Sequence, residues 1–174
     1  MFDTGQVNQR TSFASTHTSN RLYVHGGTGN NAAVLYDDIS MFDSATRKWN
    51  PVESYGEHAP SKRHSHMAVM ADEYRMFIYG GIDGSGTKND LWEFNLLTCM
   101  WHEFTIEDTS PTVYDAVLLY VPMGHLLLYG GGSTGNVYSF EVGRSVRCSH
   151  LHDNLWKTII RAQFTDVMFT FASN

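Results

Sequence analysis

Short apolar runs closed by turn residues recur along this chain, and three of them end in a pair of glycines. Leu22-Tyr-Val-His25 runs into Gly26-Gly27, Met76-Phe-Ile-Tyr79 into Gly80-Gly81, and Leu126-Leu-Leu-Tyr129 into Gly130-Gly131. The pairs are 54 and 50 residues apart. A second run follows each pair: Asp38-Ile-Ser-Met-Phe-Asp43, Asp90-Leu-Trp-Glu-Phe-Asn95 and Asn136-Val-Tyr-Ser-Phe-Glu141. Trp49 and Trp101 come 22 and 20 residues after the second glycine of their pairs; Arg10 and Arg63 come 16 and 17 residues before the first. Runs this short, rich in β-branched and aromatic residues, predict strands. Echoes at one period predict a repeat architecture.

Each unit reads as a four-stranded antiparallel blade. Paired glycines at a strand end allow backbone angles closed to other residues and let a neighbouring strand approach. The tryptophans of the fourth strand are expected to fill the space between adjacent sheets. A lone blade cannot bury both of its faces, so blades must stack.

The block from Arg63 to Trp101 resembles the kelch motif. The resemblance rests on Arg63 and His66, the double glycine, Asn89-Asp90 before the third strand and the tryptophan of the fourth. It covers about Arg10 to Val142 and implies an all-β fold, a partial kelch β-propeller of about three blades, with a short helix and strand after it. The blades are expected at about 10–55, 60–108 and 111–142, behind a flexible polar stretch at 1–9. The third departs from the pattern, with Val113-Tyr114-Asp115 in place of the arginine–histidine opening and no tryptophan after Phe140. With three blades, both flanks of the array are expected to present open apolar faces, and self-association through them, poor solubility or a visibly open arc is expected.

Composition narrows the function classes. Net charge is −6, which favours neither nucleic acid nor an anionic membrane surface. The longest apolar run, Ala116 to Val121, is far too short to span a bilayer. The two cysteines, Cys99 and Cys148, make no disulfide framework and point to a reducing compartment, so a cytoplasmic protein is expected, with nuclear or endomembrane association only through partners. Nucleophile elbow, P-loop, zincin and Rossmann patterns are absent. Gly130-Gly-Gly-Ser-Thr-Gly135 lacks the lysine of a P-loop and is accounted for as the third glycine pair. His64 and His66 share a strand face, but no third ligand recurs at metal spacing. No enzyme activity, cofactor or metal is expected.

Candidate binding residues lie on the loops, where rigid scaffolds carry function. The loops after the glycine pairs and the linker from Glu53 to Lys62 are expected on one propeller face. By resemblance to BTB–kelch adaptors, Arg10 and Arg63 are candidates, the alternative being hydrogen bonds to backbone carbonyls that hold the propeller together. Asn30, Asn31, Tyr36, Asp83, Ser85 and Lys88 complete the set. Val34, Leu35 and Tyr36 either begin the third strand early or offer an apolar contact to a partner.

From Gly143 the texture changes: 143–150 reads as a linker, and Leu151, Leu155, Ile159 and Ile160 recur at helical spacing. Phe164-Thr-Asp-Val then resembles the Phe-Ser-Asp-Val opening of a BTB (POZ) domain. Kelch repeats followed by such a segment resemble the leucine-zipper-like transcriptional regulator family. The resemblance implies that 151–174 begins a BTB domain present only in part, so that a cullin would be bound only by a complete one. The expected function is a protein–protein interaction scaffold, the substrate-binding part of a BTB-type adaptor of a cullin ubiquitin ligase. A non-adaptor cytoskeletal or signalling scaffold and, further off, a catalytic or small-ligand propeller are the alternatives.

Overall fold

The computed structural model describes residues 7–30, 33–106, 110–121, 124–131, 136–142 and 148–150. Strands β1 (Ala14–His17), β2 (Arg21–His25), β3 (Ile39–Asp43) and β4 (Lys48–Val52) form the first antiparallel sheet, blade 1. A small sheet pairs β5 (Arg63–His64), β8 (Ile82–Asp83) and β9 (Gly86–Thr87). Blade 2 orders β6 (Met67–Met70), β7 (Arg75–Tyr79), β10 (Leu91–Asn95) and β11 (Met100–Phe104) from inside to outside. Blade 3 holds β12 (Ala116–Val121), β13 (His125–Gly130), β14 (Val137–Glu141) and β15 (Cys148–His150). No helix occurs among the described residues. The fold is all-β, with three antiparallel blades arranged as part of a propeller.

Strand β15 lies inside the stretch read from sequence as a linker. It pairs with β14, Tyr138 opposite His150 and Phe140 opposite Cys148, so blade 3 continues past 142. An outer edge with open N–H and C=O groups recruits whatever extended chain comes next. At three residues it is shorter than the five of β4 and β11, so blade 3 is poorest in its fourth strand, as expected. The expected helix and final strand of 151–174 fall outside the described residues.

Strand alternation explains the stacking. In β7, Met76 and Ile78 point to blade 1 and join Tyr23, Ile39, Phe94 and Trp101 in one cluster. Phe77 and Tyr79 point the other way, to Leu118, Leu126, Leu128 and Phe140 of blade 3. Successive side chains leave opposite faces of a strand, so a strand apolar at every position is one buried on both sides. Trp101, 7% exposed, fills the space between blades 1 and 2, its ring 5.2 Å from His25. Trp49 departs from the expectation that both tryptophans lie between sheets: it is half-buried, against Phe42 of its own blade at 5.3 Å. It occupies the outward side of blade 1.

A relay of peptide hydrogen bonds ties the blades where their inner strands begin. Ser12, Ser65 and Asp115 hold equivalent positions and share a left-handed backbone, φ 52°, 55° and 50°. The Ser65 N–H donates to the Ser12 carbonyl at 2.7 Å, and the Asp115 N–H to the Ser65 carbonyl at 2.9 Å. Non-glycine residues in this region are strained, and the recurrence shows the strain is part of the repeat. The glycine pairs make the matching link: the Gly27 N–H donates to the Arg63 carbonyl at 2.9 Å and the Gly81 N–H to the Val113 carbonyl at 2.8 Å. Gly81 has φ 88°, and a Cβ there would stand 2.6 Å from the His66 Cβ, so only glycine fits this contact.

Candidate functional site

The residues singled out from sequence converge on the end of the blades that carries the glycine pairs. Register places the start of β3 and the end of β4 there, Ile39 opposite both His25 and Val52, so the linker after Val52 leaves from the same end. The linker also grips the neighbouring blade: the Tyr55 N–H donates to the Cys99 carbonyl at 2.7 Å.

Arg63 is 1% exposed. Its Nε donates to the Ser61 carbonyl at 3.0 Å, Nη1 to the Gly80 carbonyl at 3.0 Å and Asp90 Oδ1 at 2.6 Å, and Nη2 to Ser61 Oγ at 3.1 Å and Asp90 Oδ2 at 2.7 Å. A guanidinium has five N–H donors, and all of them are engaged. Arg63 is therefore not a partner contact, as one sequence reading had it. It clamps the opening of one strand to the glycine turn and to the start of β10. Arg10 repeats the clamp in blade 1, with Nη1 on the Gly26 carbonyl at 3.1 Å and on Asp38 Oδ1 at 2.7 Å, and Nη2 on Asp38 Oδ2 at 2.9 Å. Its guanidinium also lies over the Tyr36 ring, 4.3 Å from the centroid, a cation–π contact. Burial by itself would raise the Asp38 and Asp90 carboxyls; the facing arginines outweigh it and hold both below the usual range. Blade 3 has Val113 and Asn136 at the two clamp positions. Both charges are replaced together, which avoids stranding one of them.

What remains available is the β8–β9 hairpin. Asp83 Oδ1 accepts from the Ser85 N–H and Oγ, both at 2.7 Å; Oδ2 accepts from Ser61 Oγ at 2.6 Å and Lys88 Nζ at 2.9 Å. Lys88 Nζ also donates to Ser85 Oγ at 3.0 Å. Burial pushes the Asp83 carboxyl up, but these donors hold it well below the ordinary carboxylate range. The hairpin is thus ordered by charge-assisted bonds, with Gly84 and Ser85 exposed at its tip. In blade 1 the corresponding loop returns through Val34 and Leu35. Leu35 bridges to Thr28, and β3 itself begins only at Ile39. Val34 is 46% exposed, and Asn30 is exposed, its amide donating to Gln9 at 3.0 Å. Asn31 lies outside the described residues. The two loops are joined through Tyr36, whose carbonyl accepts from the Arg63 N–H at 3.2 Å, and through Ser61.

Sequence reasoning missed a buried histidine pair. His25 Nδ1 and His66 Nε2 are 2.8 Å apart, with the two residues 0% and 5% exposed. The only signal was position: His25 stands where Tyr79 and Tyr129 stand, and His66 where Phe13 stands. Burial, then the charge of Arg63, lowers His25 to about 3. Burial, then the neighbouring His25, lowers His66 well below its ordinary value. Both are neutral at pH 7, one donating and the other accepting. His64 Nδ1 lies 3.3 Å from Ser65 Oγ, and no group of three metal-ligating side chains occurs among the described residues.

The repeats, their clamps and the glycine links find a match in one family model, the KLHDC2/KLHL20/DRC7 Kelch-repeats domain, over residues 4–165. This chain belongs to that kelch-repeat family. The match runs across 143–150 and into the segment expected to open a BTB domain. Kelch domain-containing protein 10 of Rattus norvegicus is 28% identical over 120 residues, which are 66% of this chain and 28% of that protein. Rab9 effector protein with kelch motifs is 38% identical over 80 residues in Mus musculus, 45% of this chain and 20% of that protein, and 35% identical over 79 residues in Bos taurus. The chain thus spans well under a third of the length of the curated relatives it matches. No helix among the described residues is long and apolar enough to cross a membrane.

Proposed function

We propose that this chain is a protein-binding scaffold whose contact surface is the glycine-pair end of blades 1 and 2. One observation carries the reading: the Asp83–Ser85–Lys88 hairpin is pre-ordered on a buried clamp and exposes its tip. A loop already held in one conformation loses little entropy when a partner binds. Its carboxylate and ammonium neutralise each other, so the partner gains from shape and hydrogen bonding more than from net charge. The two arginines and the histidine pair are engaged inside the fold and are not offered to a ligand at this end.

The finer reading is the substrate-binding part of a BTB-type cullin ligase adaptor. Its support is the Phe164-Thr-Asp-Val run that follows the kelch array. The kelch-family match to residue 165 weighs against it. A second reading, a signalling scaffold with a partner of the Rab9 kind, is supported by the likeness to the Rab9 effector protein with kelch motifs.

Quantitative affinity capture tests the site. Gly84→Arg and Lys88→Glu, at the hairpin, are compared with Glu73→Arg on the turn at the other end of blade 2. Partners lost with the hairpin variants and kept with Glu73→Arg support the surface; equal loss or equal retention rejects it. GTP-loaded Rab9 offered to the chain tests the second finer reading, and purified cullin offered to a polypeptide that carries these repeats with a complete BTB domain tests the first.

A further inference from the structure

Blade 2 carries a run of polar contacts that the repeat itself does not need, because blade 1 forms the same clamp without it. The two clamps begin alike. Arg10 Nε donates to the Asn8 carbonyl at 3.3 Å and Arg63 Nε to the Ser61 carbonyl at 3.0 Å. Each arginine then holds the carbonyl of its glycine turn and an aspartate. The loops align as well: the Gly27 carbonyl accepts from the Tyr36 N–H at 3.0 Å, and the Gly81 carbonyl from the Lys88 N–H at 2.8 Å. Two residues after each pair stand Gly29 in blade 1 and Asp83 in blade 2. Asn8 and Gly29 thus occupy the places of Ser61 and Asp83. A glycine has no carboxylate, so in blade 1 the link from clamp to loop cannot form. There the Tyr36 ring, in the place of Lys88, covers the guanidinium instead.

In blade 2 the link runs unbroken from the core to the surface. The Trp92 indole N–H donates to Asp90 Oδ2 at 2.8 Å, and Trp92 packs in the cluster between blades 1 and 2. Arg63 bonds Asp90 and also donates from Nη2 to Ser61 Oγ at 3.1 Å; that hydroxyl donates to Asp83 Oδ2 at 2.6 Å. Asp83 in turn holds Ser85 and Lys88. Arginine can only donate, so the single hydroxyl proton of Ser61 is committed to the carboxylate. Ser61 is itself exposed, yet its backbone follows the buried Pro60 and its carbonyl is held by Arg63. The hydroxyl therefore stands on a fixed support at the surface. The Asp83 side chain is 7% exposed, and a carboxylate so covered requires its donors.

We propose that Ser61 is the positioning residue of this surface: its hydroxyl sets the conformation in which the hairpin from Asp83 to Lys88 meets a partner. The inference rests on the reading of the glycine-pair end as the contact surface. Blade 1 shows that the clamp forms with asparagine in the place of Ser61, so the bond from Ser61 to Asp83 serves the loop and not the blade. Without it, Ser85 and Lys88 still tie the turn to itself, but its side-chain tie to the clamp is gone. A partner would then bear the cost of fixing the hairpin on the blade.

Amide hydrogen exchange on the 174-residue chain, read at the Ser85 N–H, tests the role of Ser61 with no partner present. Ser61→Ala should speed that exchange roughly 10-fold or more, as for loss of a hydrogen bond to a charged group. The melt should stay within about 3 °C of the unsubstituted chain. The Asp83 carboxyl, followed by NMR, should titrate at higher pH, because burial pushes it up and the Ser61 hydroxyl is among the donors that bring it down. Ser61→Thr keeps the hydroxyl and should restore both readouts; Asn8→Ala should move neither. In the capture comparison, Ser61→Ala should lower recovery of the proteins lost with Gly84→Arg several-fold. Unchanged exchange at Ser85, no rescue by threonine, or full recovery of those proteins overturns the proposal. A loss in the melt as large as that of Arg63→Ala would make the hydroxyl part of the blade and overturn it too. If Gly84→Arg loses no protein, the contact surface itself is rejected, and exchange and titration still decide whether Ser61 positions the hairpin.

Discussion

The middle blade and the two that flank it are built from one repeat, yet among the described residues their two faces are covered to different extents. One position shows the difference. Tyr79 in blade 2 is 0% exposed and donates its hydroxyl to the Pro111 carbonyl at 2.7 Å; Tyr129, its equivalent in blade 3, is 53% exposed. The strand pattern is the same in both, so exposure is set by the neighbour and not by the strand. The clamps vary in the same way. Arg63 and Arg10 are both buried at the side chain, 1% and 3% exposed, but Asp90 is 21% and Asp38 47% exposed, and blade 3 has no charged pair at these positions. A charge pair in this repeat becomes structural only as far as a second blade removes it from water.

The largest effect should come from Arg63→Ala. It strands the Asp90 carboxylate and the Gly80 carbonyl, and should cost about 3–5 kcal/mol in urea unfolding. Replacing both partners as blade 3 does, Arg63→Val with Asp90→Asn, should recover at least about half of that loss, since no buried charge is left alone. Arg10→Ala should cost only about 1 kcal/mol, because water reaches Asp38. Equal losses for Arg10 and Arg63 would show that the flanking and middle clamps are equally desolvated.

The tryptophans come next. Trp101→Ala should cost about 3–5 kcal/mol and Trp49→Ala about 1–2, measured by thermal melts at low protein concentration. A rise in the Trp49 penalty with concentration would mean that blade 1 gains a neighbour by association.

Acid should then open the interface between blades 1 and 2 before the one between blades 2 and 3. His25 is depressed from 6.5 to about 3, so the unfolded chain binds the extra proton first. Its contribution is fully present above pH 6.5 and is lost as pH falls towards 3, by about 2 kcal/mol at pH 5. His66, also depressed, adds in the same direction. Below about pH 4 the clamped Asp38 and Asp90 lose their contribution as well. His25→Phe with His66→Phe should flatten stability between pH 7 and 5; an unchanged slope would assign the titration elsewhere.

The smallest effect should be at the hairpin tip. A Cβ at Gly84 meets nothing within 4 Å, so Gly84→Ala should stay within about 0.5 kcal/mol. Gly81→Ala, in the blade contact, should be far more damaging, and similar melts for the two would mean that the glycine pair is not a contact at all.

Much of this molecule is determined locally and can be read along the chain. The apolar alternation, the glycine pairs and the period near 50 residues specify strands, turns and blades, because each depends on neighbours within one repeat. That Asp83, Ser85 and Lys88 share one loop was also legible, since they sit in one turn. Other features depend on which repeat lies alongside. Whether Arg63 reaches a partner or a carbonyl, whether Trp49 is covered, and which histidine meets His25 were decided between blades, over 41 residues of sequence in the last case. Residues 148–150 show the same limit: they carry little strand pattern of their own and pair because β14 has an edge to fill. Burial and charge pairing are properties of two surfaces brought together, so only the tertiary structure could set them.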